Sequence, residues 1–213
     1  MPLIDLTREI IPEMPVLPGT EPPRIDTVRF LAQDGYAESR FTFYTHIGTH
    51  VDAPAHLIKG GRPLHTYPIE QFIGQALVLD CSSLPDLEIP LTHVRQAVEP
   101  LPAAISFLLI RTGWSRHWGS EQYFQPFTVL SAEAAKWLAA FPLKGVGVDA
   151  FSVDSLDSTT LPIHHAFLNR DILILENLAN LEALPDSPFE LTVLPLKARF
   201  PDGAPVRAVA RVR

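Results

Sequence analysis

The sequence has a single cysteine, Cys81, among 213 residues, so no disulfide can form within the chain. Its place in the apolar run Ala76–Cys81 reads as a buried thiol, in keeping with a reducing compartment. Basic charge is also short: 17 Lys+Arg stand against 24 Asp+Glu, a formal net charge of −7. Nothing along the chain matches a phosphate backbone, so nucleic acid is not an expected partner. No stretch approaches the roughly 18 uninterrupted apolar residues of a membrane-spanning helix, so no membrane partner is expected either. The start carries Asp5 and Glu9 and no apolar h-region, which points away from a signal peptide and toward a cytoplasmic protein. Fixed-period repeats and Gly/Ser linkers are missing, so the expected organisation is one domain, residues 1–213.

Apolar residues make up 46% of the chain and charged residues 19%, a balance that excludes disorder as the default state. The 21 prolines are dispersed between apolar runs and predict many fixed turns and short elements. Strands are predicted at Ile25–Leu31, Ser39–Tyr44, Ala76–Asp80, Ile105–Arg111, Val146–Asp149, Ile172–Glu176, Leu191–Lys197 and Val206–Val212. Ile105–Ile110 and Ile172–Leu175 are continuously apolar and suit strands covered on both faces. Arg40–Tyr44 and Val206–Val212 alternate, which suits half-exposed antiparallel strands. The clearest helix is Ser131–Ala140, with Ser131 as N-cap and Pro142 beyond its end. Leu91–Ala97, with Thr92 as a candidate cap, is a second, and Pro162–Leu168 allows one or two turns. The expected class is α/β, a mixed β-sheet with few helices.

Three of the eight histidines fall between positions 46 and 56, in Thr45-His46-Ile47-Gly48-Thr49-His50-Val51-Asp52-Ala53-Pro54-Ala55-His56. A helix carrying them is disfavoured by Gly48, by Pro54 and by the β-branched Ile47, Thr49 and Val51. The expected geometry is a strand over Ser39–Tyr44 running into a tight loop that turns at Gly48 and aims polar side chains inward. Imidazole and carboxylate are the standard donors for Zn²⁺ and also suit Mn²⁺ and Fe²⁺. His46, His50 and Asp52 therefore form a candidate ligand set, leaving room for a reacting water. His56 is either a fourth ligand or a general acid/base. Downstream, Glu176 ends a buried run and needs a partner, which a metal ion would supply. His164 and His165 follow Pro162. Asp149 and Asp154 sit at a strand end, where either could hold a ligand histidine or simply make a turn.

The run His46-x-Gly48-Thr49-His50-x-Asp52-x-Pro54-x-His56 resembles, at every fixed position, the HxGTHxDxPxH signature of the cyclase-like metal-dependent hydrolases. That family includes bacterial kynurenine formamidases and isatin hydrolases. Weaker support comes from Ile4-Asp5-Leu6-Thr7, from Met14-Pro15-Val16-Leu17-Pro18-Gly19, from Val148–Asp154, and from His164 followed by Glu176-Asn177-Leu178. The resemblance implies a swivelling β/β/α fold in a homodimer or higher homo-oligomer. It implies one or two divalent ions per chain, Zn²⁺ first and Mn²⁺ second. His46, His50 and Asp52 would hold one ion, Asp52 would bridge to a second with His164, and Glu176 would touch one or both. His56 would carry protons, and His165 would be a bystander. The implied activity is hydrolysis of a small non-peptide amide. A lyase or cyclase reaction, a lactone hydrolase, or metal binding without turnover are the alternatives. In kynurenine formamidases the matching turn carries a substrate-contacting tryptophan. Leu17 stands there in this chain, a substrate-binding candidate with no ring to stack. Phe41, Phe43 and Phe151 are further candidate pocket walls.

Overall fold

In a computed structural model, residues 1–199 and 202–212 are described. Among the described residues, twelve strands and four α-helices alternate with short 3-10 turns. The strands are β1 (Leu3–Asp5), β2 (Arg24–Arg29), β3 (Glu38–Thr42), β4 (His50–Asp52), β5 (Ile73–Asp80), β6 (Glu88–Ile89), β7 (Ile105–Arg111), β8 (Val129–Leu130), β9 (Gly145–Val148), β10 (Leu173–Glu176), β11 (Phe189–Pro195) and β12 (Gly203–Arg211). The helices are α1 (Leu31–Asp34), α2 (Leu91–Val98), α3 (Ala132–Leu138) and α4 (Pro162–Leu168).

The main sheet runs β1-β12-β11-β5-β7-β9-β10-β4, and β4 pairs back onto β12. That last pairing closes a barrel-like ring, with β1 outside it on β12. Strands β5, β7, β9 and β10 are mutually parallel; the remaining pairings of this sheet are antiparallel. The mixed α/β class with few helices is as expected.

The two-faced apolar runs explain the layers. Side chains alternate across a strand. On β7, Phe107 and Leu109 point into the barrel, while Leu108 and Ile110 pack outward. On β10, Leu173 and Leu175 point in, and Ile174 points out. The outer core is covered by α2, α3 and α4 through Val94, Val98, Leu138, Phe167 and Leu168. Ser131 caps α3 by accepting from the Ala134 N–H, as expected. At α2 the cap position belongs to Pro90 and no side chain caps it, so Thr92 does not serve.

Strands β2 and β3 form a separate antiparallel ribbon. All of β3 is exposed, more than its alternating pattern suggests, because the main sheet does not cover either face. On β12 the alternation does hold: Val206, Ala208 and Ala210 are buried and Arg207 and Arg211 are exposed.

Candidate metal centre

The motif is split between a loop and a strand. Strand β3 ends at Thr42, and Gly48 turns the connection with φ +56°, a left-handed conformation open to glycine. His46 lies in this loop, as expected. His50 and Asp52 instead lie on β4, a short strand that the glycine and proline punctuation hid. Being two apart, they share one face, while Val51 turns into the barrel. Across the sheet, Glu176 of β10 stands opposite His50. His164 comes from α4, which packs over the same outer face.

His50, Asp52, His164 and Glu176 are all buried. His50 Nδ1 lies 2.9 Å from the Gly48 carbonyl, so this nitrogen donates and Nε2 faces the carboxylates. Nε2 is 3.3 Å from Asp52 Oδ1 and 3.3 Å from Glu176 Oε2, neither at hydrogen-bond geometry. His164 Nδ1 lies 2.7 Å from Asp154 Oδ2. Its Nε2 is 3.4 Å from Glu176 Oε1 and 3.7 Å from Asp52 Oδ2. Glu176 Oε1 also accepts the Val153 N–H at 3.0 Å. His46 Nδ1 lies 2.6 Å from Asp52 Oδ1.

The electrostatics follow from two buried carboxylates facing the imidazoles. Burial pushes the His50 pKa down, but the Asp52 and Glu176 charges outweigh it and hold it up at about 10. His164 is likewise held up, at about 12, with Asp154, Asp52 and Glu176 overcoming burial. Burial and the Asp52 charge push Glu176 up, yet His164 and His50 bring it down to about 2. Asp52 lies well below the usual carboxylate range, as its histidine neighbours overcome burial. With neutral imidazoles the buried set would carry two uncompensated negative charges, a costly state.

A divalent cation fits this set. Asp52 Oδ2 and His50 Nε2 are buried atoms without a hydrogen-bond partner. Donor atoms of His46, His50 and Asp52 lie within 4.8 Å of one another, as do those of Asp52, His164 and Glu176. The two triads share Asp52, so one or two ions can be accommodated.

His56 sits just beyond, half-buried, with its ring centroid 4.0 Å from that of His46. Burial and the nearby His46 and His164 hold its pKa below the ordinary histidine value, against the pull of Asp52 and Glu176. It lines a cavity of about 520 Å³ together with His46, His50, His164, Glu176, Leu17, Tyr44 and Phe151. Phe41 and Phe43 are not among its walls; Phe41 stands exposed on the ribbon.

Of the two strand-end aspartates, only Asp154 reaches the site. Asp149 accepts from the Thr112 N–H and hydroxyl and from the Gly113 N–H, and so pins a turn. Asn177 stitches β10 to the motif loop, donating to the Gly48 carbonyl and accepting from Tyr123. Asp202 escaped the sequence reading altogether. Its Oδ2 lies 3.0 Å from His46 Nε2, yet Asp202-Gly203 reads as an ordinary turn pair before a strand.

The cyclase family model matches residues 4–155. The chain belongs to the cyclase family. Among its cyclase-family relatives is a kynurenine formamidase from Bordetella avium, 33% identical over 210 residues, spanning 98% of this chain and 97% of that one. Isatin hydrolase A from Ralstonia solanacearum superposes with a TM-score of 0.89 at 26% identity, covering all of this chain and 92% of the other. A predicted metal-dependent hydrolase from Bacillus stearothermophilus gives 0.80 at 27% identity, over 98% and 97% of the two chains. The cyclase fold and the mixed sheet described above thus agree.

Proposed function

We propose that this protein is a metal-dependent hydrolase of a small non-peptide amide, an aryl formamide or a cyclic amide being the fitting substrate type. The observation that carries the reading is the pair of unpartnered buried atoms, His50 Nε2 and Asp52 Oδ2, beside His164 and Glu176 on the wall of a cavity that opens to solvent. Kynurenine formamidase and isatin hydrolase relatives support the C–N bond as the one cleaved.

In this reading His46, His50 and Asp52 would hold one ion, and Asp52, His164 and Glu176 would hold a second. When bound, a divalent ion there polarises a carbonyl and makes water acidic enough to attack near neutral pH. His56 takes the proton from the attacking water as the C–O bond forms, and returns it to the nitrogen as the C–N bond breaks. Its lowered pKa keeps the ring neutral and ready to accept. Leu17 and Phe151 offer apolar walls to the apolar part of the substrate.

Imidazole and carboxylate donors suit Zn²⁺, the ion this reading takes first, and also accept Mn²⁺. The reading further takes the chain as one domain, residues 1–213, acting as a cytoplasmic homodimer. The exposed β2–β3 ribbon, with Phe41 61% exposed, supports a second copy packing there.

The test is a panel of aryl formamides, cyclic imides and lactones, assayed in heavy-oxygen water with wild type and His56→Ala at matched metal content. Solvent oxygen should enter the acid product. His56→Ala should keep its metal and lose roughly 10²–10⁴-fold in kcat. Turnover without solvent oxygen in the product would make it a lyase or cyclase. A variant that loses its metal would reassign His56 as a ligand, and metal without turnover on any substrate would leave a binding protein.

A further inference from the structure

His46 is engaged on both edges of its ring. Nδ1 lies 2.6 Å from Asp52 Oδ1, and Nε2 lies 3.0 Å from Asp202 Oδ2. The ring also rests against Gly203, where an added Cβ would fall 2.5 Å from His46 Cε1. Asp202 is itself held: its Oδ1 accepts the Thr45 hydroxyl at 3.0 Å, which leaves Oδ2 turned to the histidines. The same Oδ2 stands 3.9 Å from Nδ1 of His56, whose ring stacks on that of His46 at an interplanar angle of 37°.

We propose that Asp202 is a positioning residue that fixes the proton of His46 on Nε2, so that Nδ1 faces the ion, and that favours the proton of His56 on Nδ1. The inference rests on the metal-centre reading above. A histidine that binds an ion must free the binding nitrogen of its proton. Donation from the other nitrogen to a carboxylate selects that tautomer, fixes the ring and raises its basicity. Asp52 cannot play this part, because it belongs to the ion's own donor set. Asp202 is on the opposite edge, outside the two triads that share Asp52, and groups instead with the half-buried His46 and His56. Its charge faces Nδ1 of His56 as well, which favours the proton there and leaves Nε2 as the atom that accepts from water. One carboxylate just before β12 thereby sets the working tautomer of a ligand and of the base.

The experiment pairs chelator-competition titration of Zn²⁺ with nitrogen-15 NMR of the histidine rings. It uses wild type, Asp202→Asn and Asp202→Ala. Zn²⁺-loaded wild type should show His46 protonated at Nε2 and His56 at Nδ1. Asp202→Ala should bind Zn²⁺ about 10–100-fold more weakly. Asp202→Asn keeps an oxygen acceptor without the charge and should fall between. A purely structural role would lower the melting temperature and leave affinity and tautomers as they were. Loaded wild type with the His46 proton on Nδ1 overturns the proposal, as does a folded Asp202→Ala chain with wild-type affinity. If Asp202→Ala does not fold, the wild-type tautomers decide. A wild type that binds no Zn²⁺ overturns the metal reading and this one with it, whereas Zn²⁺ binding with the wrong tautomer overturns this one alone.

Discussion

Asp52 and Glu176 set the proton balance of the centre. In the metal-free protein they hold His50 and His164 protonated, with pKa values of about 10 and about 12 against an ordinary 6.5. Both values are raised on folding, so the stability these imidazoles contribute is complete below pH 6.5 and is lost as pH climbs toward 10 and 12. A metal ion must displace those protons. Apparent affinity should therefore rise with pH across the neutral range, by up to ~100-fold per pH unit for two protons. Calorimetry at pH 7 in buffers of differing ionisation enthalpy should find about two protons released per chain on loading; no release would mean neutral imidazoles at the start. Gly203 offers a steric test at the same scale. Gly203→Ala should lower the melting temperature of the metal-free chain, since the added Cβ would fall 2.5 Å from Cε1 of a ring that Asp52 and Asp202 hold in place. The new Cβ would drive the His46 ring aside, and affinity should fall by roughly tenfold or more.

Helix α4 is only seven residues long, and its first turn is made by Pro162 and by Asp154. Asp154 accepts the N–H groups of Ile163 and His164 at 3.0 and 2.9 Å, and also faces His164 Nδ1. Capping the helix and orienting the His164 ring are thus one function of one carboxylate. Asp154→Ala should cost about 0.5–2 kcal/mol of stability by loss of the cap. It should also weaken metal binding about 10–100-fold by freeing His164. Denaturant melts of the metal-free chain separate the first effect from the second, which chelator competition reads. Nothing in the spacing of Asp149 and Asp154 distinguishes them: both follow the same strand, and their partners come from distant segments. The motif run shows a similar limit. Gly48 and Pro54 mark turns, and the three residues of β4 between them are too few to show a strand period.

At the scale of the whole molecule, ring closure assembles the site. Strand β12 pairs with β11 through most of its length and with β4 at Gly203–Pro205. That second pairing brings Asp202 beside a loop some 150 residues earlier in the chain. Metal bound at a centre made from the His46 loop, β4, β10 and α4 would tie these elements together in the native state only. Loading at 100 times the dissociation constant should add about 2.7 kcal/mol of stability. For a chain of this length that raises the melting temperature by roughly 5–11 °C, with a further rise at higher metal concentration. Calorimetric scans of stripped and loaded protein check it; equal melting temperatures would place the ion outside the fold.

Local chemistry was enough for much of this protein. Continuous apolar runs marked the strands covered on both faces, Ser131 marked a helix start, and the close spacing of His46, His50 and Asp52 marked side chains that do come together, because residue type and short-range spacing carry those signals. The tertiary structure alone decided that His50 and Asp52 share a strand face, that Asp154 and not Asp149 holds His164, and that Asp202 reaches His46. Those relations depend on which segments the closed sheet brings together, and hydrogen-bonded pairing across long loops leaves no period in the chain.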